Sequence, residues 1–180
     1  KKEKKKKKIL EELMKQVSSE KVYFVIGHKM QGYEKAIVEI SKKLNKKFEI
    51  NAIIPGMISK EEGNHLKEEN INAIRIAIDS DEMGIYKSFN YEIFERRKAV
   101  VMAFDGNSPV SNLVQEAKNG KGKSKIYVNT EIPVLKDKAK SLEGYVVPFT
   151  LKQNIVDKIL IDNPEIIDKK YNNLYNNFEI

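Results

Sequence analysis

Cysteine is absent from the 180 residues, and so is tryptophan. Lack of cysteine excludes disulfides, thiolate zinc sites and Cys nucleophiles, and it fits a reducing compartment, so a cytoplasmic location is expected. No apolar run approaches the ~20 residues that span a bilayer, and the Lys-rich start has no apolar core after it. Neither a membrane helix nor a signal peptide is expected, and no membrane partner. Arginine is nearly missing: the 33 basic residues include only Arg75, Arg96 and Arg97 of that type. Base reading and bidentate phosphate capture favour Arg, so sequence-specific DNA binding is disfavoured. The first residue is Lys rather than Met, which suits a piece of a longer protein.

What is present suffices for one compact domain with short appendages. A domain of this size buries roughly 70% of its unfolded surface and needs no disulfide or metal staple. The net charge of +7 is unevenly spread: residues 1–8 hold seven Lys and one Glu, and everything else sums to +1. A run of like charges is usually solvated, serving as a tether or a weak polyanion contact. The body of the chain is close to neutral.

Periodicity divides the chain into a leader with an amphipathic helix (residues 1–20), a domain of alternating strands and helices (21–162) and a tail (163–180). Ile9, Leu10, Leu13, Met14 and Val17 recur at helical spacing, which predicts a helix over 3–18. Residues 21–27 form an apolar run ending in Gly27, as a strand covered on both faces would. Further short apolar runs at 50–55, 73–78, 99–104 and 124–128 predict strands, and 145–149 a sixth. Helical stripes lie between them: Tyr33, Ala36, Ile37, Ile40 and Leu44; then a helix opened by the capping box Ser59 to Glu62; then Ile85, Tyr86, Phe89 and Ile93; then Val110, Leu113, Val114 and Ala117. Ser108 and Pro109 stand as N-cap and N1 of that last helix. Leu151, Ile155, Val156, Ile159 and Leu160 give a final stripe. Strand and helix in alternation predict an α/β fold: a Rossmann-like three-layer α/β/α domain with a mostly parallel sheet of five to six strands.

In an open parallel sheet, ligands bind beyond the carboxyl ends of the strands. After strand one stand Gly27, His28, Lys29 and Gly32. Gly lets backbone approach a ligand, a helix start presents N–H groups to anions, and Lys29 is a plausible phosphate partner. The spacing matches no named phosphate loop, and an ordinary strand-to-helix turn accounts for it equally. After strand four stand Asp105, Gly106, Asn107 and Ser108. Asp105 suits ribose hydroxyls as an acceptor, and a capped turn is the plain alternative. Asp79, Asp81 and Glu82 suit a helix start better than a magnesium ion. Arg97 fits a helix C-terminus or an anionic ligand. Tyr86, Phe89, Tyr91 and Phe94 read as packing rather than stacking residues. No metal and no cofactor is expected.

Residues 22–28, then 90–109 with its Arg96–Arg97 pair and its strand ending in Asp105-Gly106, then Val114 to Lys118, resemble the SLOG superfamily of Rossmann-like domains. The likeness covers about residues 21–130. It implies binding of a nucleotide or nucleotide derivative at the carboxyl edge of the sheet. Members include DNA-processing proteins, phosphoribohydrolases and sensors of nucleotide signals. The phosphoribohydrolase motif Pro-Gly-Gly-x-Gly-Thr-x-x-Glu is missing here. In the related nucleoside deoxyribosyltransferases a nucleophilic Glu stands four residues before an Ala; counting back from Ala117 gives Leu113, and Glu116 is displaced around the helix.

The expected function is therefore a nucleotide-type sensor or regulatory domain without turnover, binding through Gly27, His28, Lys29, Gly32, Arg97, Asp105, Gly106, Asn107 and Ser108. The exits of strands one and four are expected to share one hollow. Occupancy would pass to a second subunit of a homo-oligomer or to an upstream effector domain. One alternative is cleavage or transfer at an N-glycosidic bond, with Glu92, Asp105 or Glu116 as acid or nucleophile. Another is DNA-processing-like DNA binding through the Lys tail and Lys42, Lys43, Lys46 and Lys47; nucleic acid is otherwise not the expected partner.

Overall fold

The computed structural model describes residues 2–27, 32–54, 58–75, 87, 90–91, 100–105, 108–118 and 125–169. The chain is α/β and divides into two compact units, one of residues 1–75 with 154–180, the other of 76–153. Each carries a sheet of three parallel strands. The six strands expected from the apolar runs are all present and parallel, in two sheets of three rather than one sheet of five or six.

In the first unit, helix α1 (Lys2–Gln16) leads into strand β1 (Tyr23–Gly27). Helix α2 (Tyr33–Leu44), strand β2 (Glu49–Ile54), helix α3 (Lys60–Glu68) and strand β3 (Asn72–Arg75) follow. The sheet order is β1-β2-β3, with Phe24 opposite Ile50, Ile26 opposite Ala52, and Ala52 opposite Ala73. β2 alternates: Ile50 and Ala52 are buried, while Glu49 and Asn51 stand on the other face. There Asn72 donates to Asn51 (3.2 Å), and Asn51 donates to Glu49 (3.1 Å), a polar row that the run 50–55 did not advertise. The capping box forms at α3, where Ser59 Oγ accepts from the Glu62 amide at 3.1 Å.

The apolar stripe of α1 is its anchor. Leu10, Met14 and Val17 are buried in a core that also holds Ala36, Ile37 and Ile40 of α2. Val156 and Leu160 of the last helix, α6 (Ile155–Asp162), complete it. At roughly 1.5–3 kcal/mol for each fully buried large side chain, this stripe outweighs the few tenths lost by setting lysines near the positive end of a helix dipole. The Lys run is thus the first two turns of a packed helix. Lys6 even turns inward, 3% exposed, and pairs with Glu3 at 3.3 Å.

The end of α1 is closed by a residue far along the chain. Lys46 Nζ donates to the carbonyls of Val17 (2.7 Å), Met14 (3.0 Å) and Lys15 (3.1 Å). It also lies 3.6 Å from Asp168 and 5.5 Å over the Phe48 ring. Burial lowers its pKa, and Asp168 pulls the other way. Beside it the chain after the 3-10 turn at Pro164–Ile166 pairs with the end of α1: Ser18 N donates to Ile166 O, and Asp168 N to Gln16 O, both at 2.8 Å. Residues 163–169 of the expected tail are therefore ordered against α1.

In the second unit, strand β4 (Val100–Ala103) leads to helix α4 (Ser108–Gln115) and strand β5 (Lys125–Asn129). Helix α5 (Pro133–Ser141) and strand β6 (Val147–Phe149) complete it, with sheet order β4-β5-β6. β5 is the central strand, and Ile126, Tyr127, Val128 and Asn129 are buried in succession, as a strand covered on both faces requires. Leu113, Val114 and Ala117 from α4 and its final turn, with Leu135 of α5 and Leu142 just after it, fill the same core as Ile126 and Val128. Helix α5 was not foreseen. Its signals were Pro133 at the first turn and Leu135, Ala139 and Leu142 at helical spacing, diluted by three lysines. Helix α6 (Ile155–Asp162) belongs to the first unit and buries Ile155, Val156, Ile159 and Leu160.

Candidate functional site

Each sheet has a carboxyl edge, where all three of its parallel strands end. In the first unit that edge begins with Gly27, which ends β1 opposite Ile53 of β2. Gly32 then opens α2, and its carbonyl accepts the helical bond from Ala36 at 3.1 Å. Its φ of 59° and ψ of −122° lie where L side chains are strained, and a Cβ there would meet nothing within 4 Å. The glycine is thus required by backbone conformation, not by crowding. The pairing of a strand-ending Gly with a helix-opening Gly stands as the sequence implied. His28 and Lys29, between them, lie outside the described residues, as do Arg97, Gly106 and Asn107.

In the second unit, β4 ends at Ala103, Phe104 is buried, and Asp105 follows it half-buried. Ser108 starts α4, so Asp105 and Ser108 flank a strand-to-helix turn at the carboxyl edge. Residue placement at this edge is decided by side chains that sequence reasoning passed over. Asn129, at the end of β5 and fully buried, donates through Nδ2 to the Phe104 carbonyl at 3.1 Å. Its Oδ1 accepts from the Glu131 amide at 3.1 Å. Both halves of the amide are used, and the carbonyl it holds belongs to the residue just before Asp105. The rings of Phe104 and Phe149 meet edge-to-face, 6.1 Å apart, beneath the same edge.

The exits of β5 and β6 are tied together as well. The Thr130 hydroxyl donates to the Phe149 carbonyl (3.2 Å), and Glu131 Oε2 accepts from the Leu151 amide (2.6 Å). Gln153 Oε1 accepts from the Thr150 amide at 3.0 Å. The signal that could have found this network is the position of Asn129-Thr130-Glu131 directly after an apolar strand, the place where Asp105 was noticed after β4. A carboxylate at a strand exit, fixed by a buried amide behind it, can accept hydrogen bonds from hydroxyls of a bound ligand.

Of the residues considered for glycosidic chemistry, Glu92 lies outside the described residues. Glu116 is half-buried in the turn that ends α4, its amide donating to Leu113 O at 3.1 Å. Among the described residues no group of three or more His, Asp or Glu is placed to hold a metal ion; Asp79, Asp81 and Glu82 lie outside them. Tyr91, read as packing, is 56% exposed, and Tyr86, Phe89 and Phe94 lie outside the described residues. No described helix is long and apolar enough to cross a membrane. Comparison with protein-family models, with curated proteins and with solved structures gives no match.

Proposed function

We propose that the chain binds a nucleotide or nucleotide derivative at the carboxyl ends of its parallel strands, as a sensor or regulatory domain without turnover. The observation that carries this reading is the strand order. β1-α2-β2-α3-β3 and β4-α4-β5-α5-β6 each form a parallel sheet in sequential order, and each taken by itself has the construction of a mononucleotide-binding half of a Rossmann-like domain. The likeness of residues 21–130 to the SLOG superfamily supports the same ligand class. At the carboxyl edge of the first unit, Gly27, His28, Lys29 and Gly32 would serve a phosphate, through backbone N–H groups and one ammonium. At that of the second unit, Asp105, with Gly106, Asn107 and Ser108, would accept ligand hydroxyls, and Arg97 would meet an anionic group. Occupancy would be passed to a second copy of the chain or to an upstream effector domain.

Thermal unfolding against a panel of nucleoside mono-, di- and triphosphates and cyclic nucleotides tests this. A binder at 100 times its Kd adds about 2.7 kcal/mol of stability. Asp105→Ala is expected to remove the shift. Absence of a shift with every nucleotide, a shift that survives Asp105→Ala, or release of free base at enzyme-like rates would each overturn the reading.

A further inference from the structure

Several lysines of the first unit pair with carboxylates: Lys42 with Glu69 (2.5 Å), Lys43 with Glu11 (2.6 Å), Lys15 with Glu12 (3.2 Å) and Lys6 with Glu3 (3.3 Å). Lys46 is spent on the end of α1. Lys4, Lys5, Lys7 and Lys8 are exposed and pair with no carboxylate of the described residues. At 100° per residue these four lie within about 160° of one another around α1. The buried stripe of Lys6, Leu10, Met14 and Val17 occupies a separate arc of about 80°, which adjoins that face beside Lys7. Folding has therefore sorted the lysines of residues 4–8 into one inward side chain and a four-lysine outer face. Glu11 and Glu12 close that face on its C-terminal side.

We infer that this face of α1 is a docking surface for the phosphodiester backbone of nucleic acid, bound without regard to sequence. Three features select that partner. First, the four charges span four residues of helix, about 6 Å of rise. A duplex carries one phosphate charge per roughly 1.7 Å of axis, hence between three and four over the same length. Second, the groups are all Lys, which meets phosphate as a point charge and lacks the planar fork with which Arg binds bidentately. Third, the face holds no apolar anchor, because Leu10, Met14 and Val17 are committed to the core. A helix that lies in a lipid surface needs such residues free for burial in the acyl boundary. The expectation of a DNA contact spread over Lys42, Lys43, Lys46 and Lys47 is replaced by one confined to α1. This inference does not depend on nucleotide binding at the strand exits, and its readout is separate.

The test is fluorescence anisotropy of a labelled 20-base-pair duplex of random sequence with the full chain, titrated from 50 to 200 mM salt. Four phosphate contacts give a slope of log K against log salt near −3.6, or roughly a 150-fold loss of affinity across that range. The double variants Lys4→Gln/Lys5→Gln and Lys7→Gln/Lys8→Gln are each expected to reduce the slope by about 1.8, and the quadruple variant to abolish binding. Gln resembles Lys in helix propensity, and unchanged helical circular dichroism confirms that α1 is intact. Vesicles rich in phosphatidylserine are expected to leave the chain unbound. No duplex binding at 50 mM salt, a slope shallower than −1, unchanged binding by both double variants, or capture by the vesicles in place of the duplex would overturn the inference.

Discussion

Asn129 reaches from the end of β5 to the backbone just past β4: its Nδ2 donates to the Phe104 carbonyl at 3.1 Å while its Oδ1 accepts from the Glu131 amide at the same distance. One buried side chain thereby fixes two strand exits, and the residue after Phe104 is Asp105.

Replacing Asn129 by Ala leaves a buried carbonyl and an amide without partners and is expected to cost about 1–3 kcal/mol. Asn129→Asp should cost at least as much, since a carboxylate would face the Phe104 carbonyl oxygen in a dry site. Urea unfolding of the three proteins measures both. Near-identical midpoints for wild type and Asn129→Ala would show that the bridge adds nothing.

Gly32 carries a conformational requirement without a spatial one. Gly32→Ala meets open space but must hold φ near 59° with ψ near −122°, and it is expected to destabilise by roughly 1–3 kcal/mol. Asn, which tolerates ordinary left-handed backbone, should not rescue the position, because ψ lies far from that region. At Asn45, with φ 52° and ψ 42°, exchange to Gly should be close to neutral. Equal stability of Gly32→Ala and wild type in denaturant would refute the backbone argument.

Lys46 closes α1 through three carbonyls and reaches Asp168. Lys46→Met removes the ammonium over the Phe48 ring and strands those acceptors, and a loss of about 1–3 kcal/mol is expected. Hydrogen exchange at the Ser18 and Asp168 amides should accelerate together, since both belong to the segment paired at this end of the helix. Acceleration at neither amide would separate Lys46 from that pairing.

Glu11 accepts a 2.6 Å hydrogen bond from Lys43, which holds its carboxyl below the ordinary value of 4.5; desolvation opposes this, and the charges of Lys43 and Lys15 add to it. A carboxyl whose pKa is depressed by folding contributes stability above its unfolded value and loses it as pH falls through the folded one. The window therefore lies below pH 4.5. Carbon-detected NMR titration should place the Glu11 midpoint below that of a model peptide, and Lys43→Ala should raise it. A midpoint indifferent to Lys43→Ala would remove the pair as its cause.

Periodicity located the elements because burial imposes it. The stripe Leu10, Met14, Val17 and the run ending in Gly27 each follow from which side of an element faces a core. Helix α5 escaped because its apolar positions are few and its lysines dominate the composition. Gly32 and Asp105 were legible at the turns that follow strands one and four, whereas Asn129, one residue past the apolar run ending at Val128, carried no signal of its own.

The amino-acid order alone determined the alternation of strands and helices, the parallel direction that such alternation demands, and the uneven placement of charge, because these depend on neighbours within a few residues. Only the tertiary structure decided that the strands fall into two sheets of three, that Lys6 turns inward while Lys4, Lys5, Lys7 and Lys8 remain outside, and that Lys46 and Asn129 serve backbone carbonyls 29 and 25 residues away in sequence. Such partners are chosen by the need to satisfy polar groups removed from water, and that need arises only once distant segments have packed.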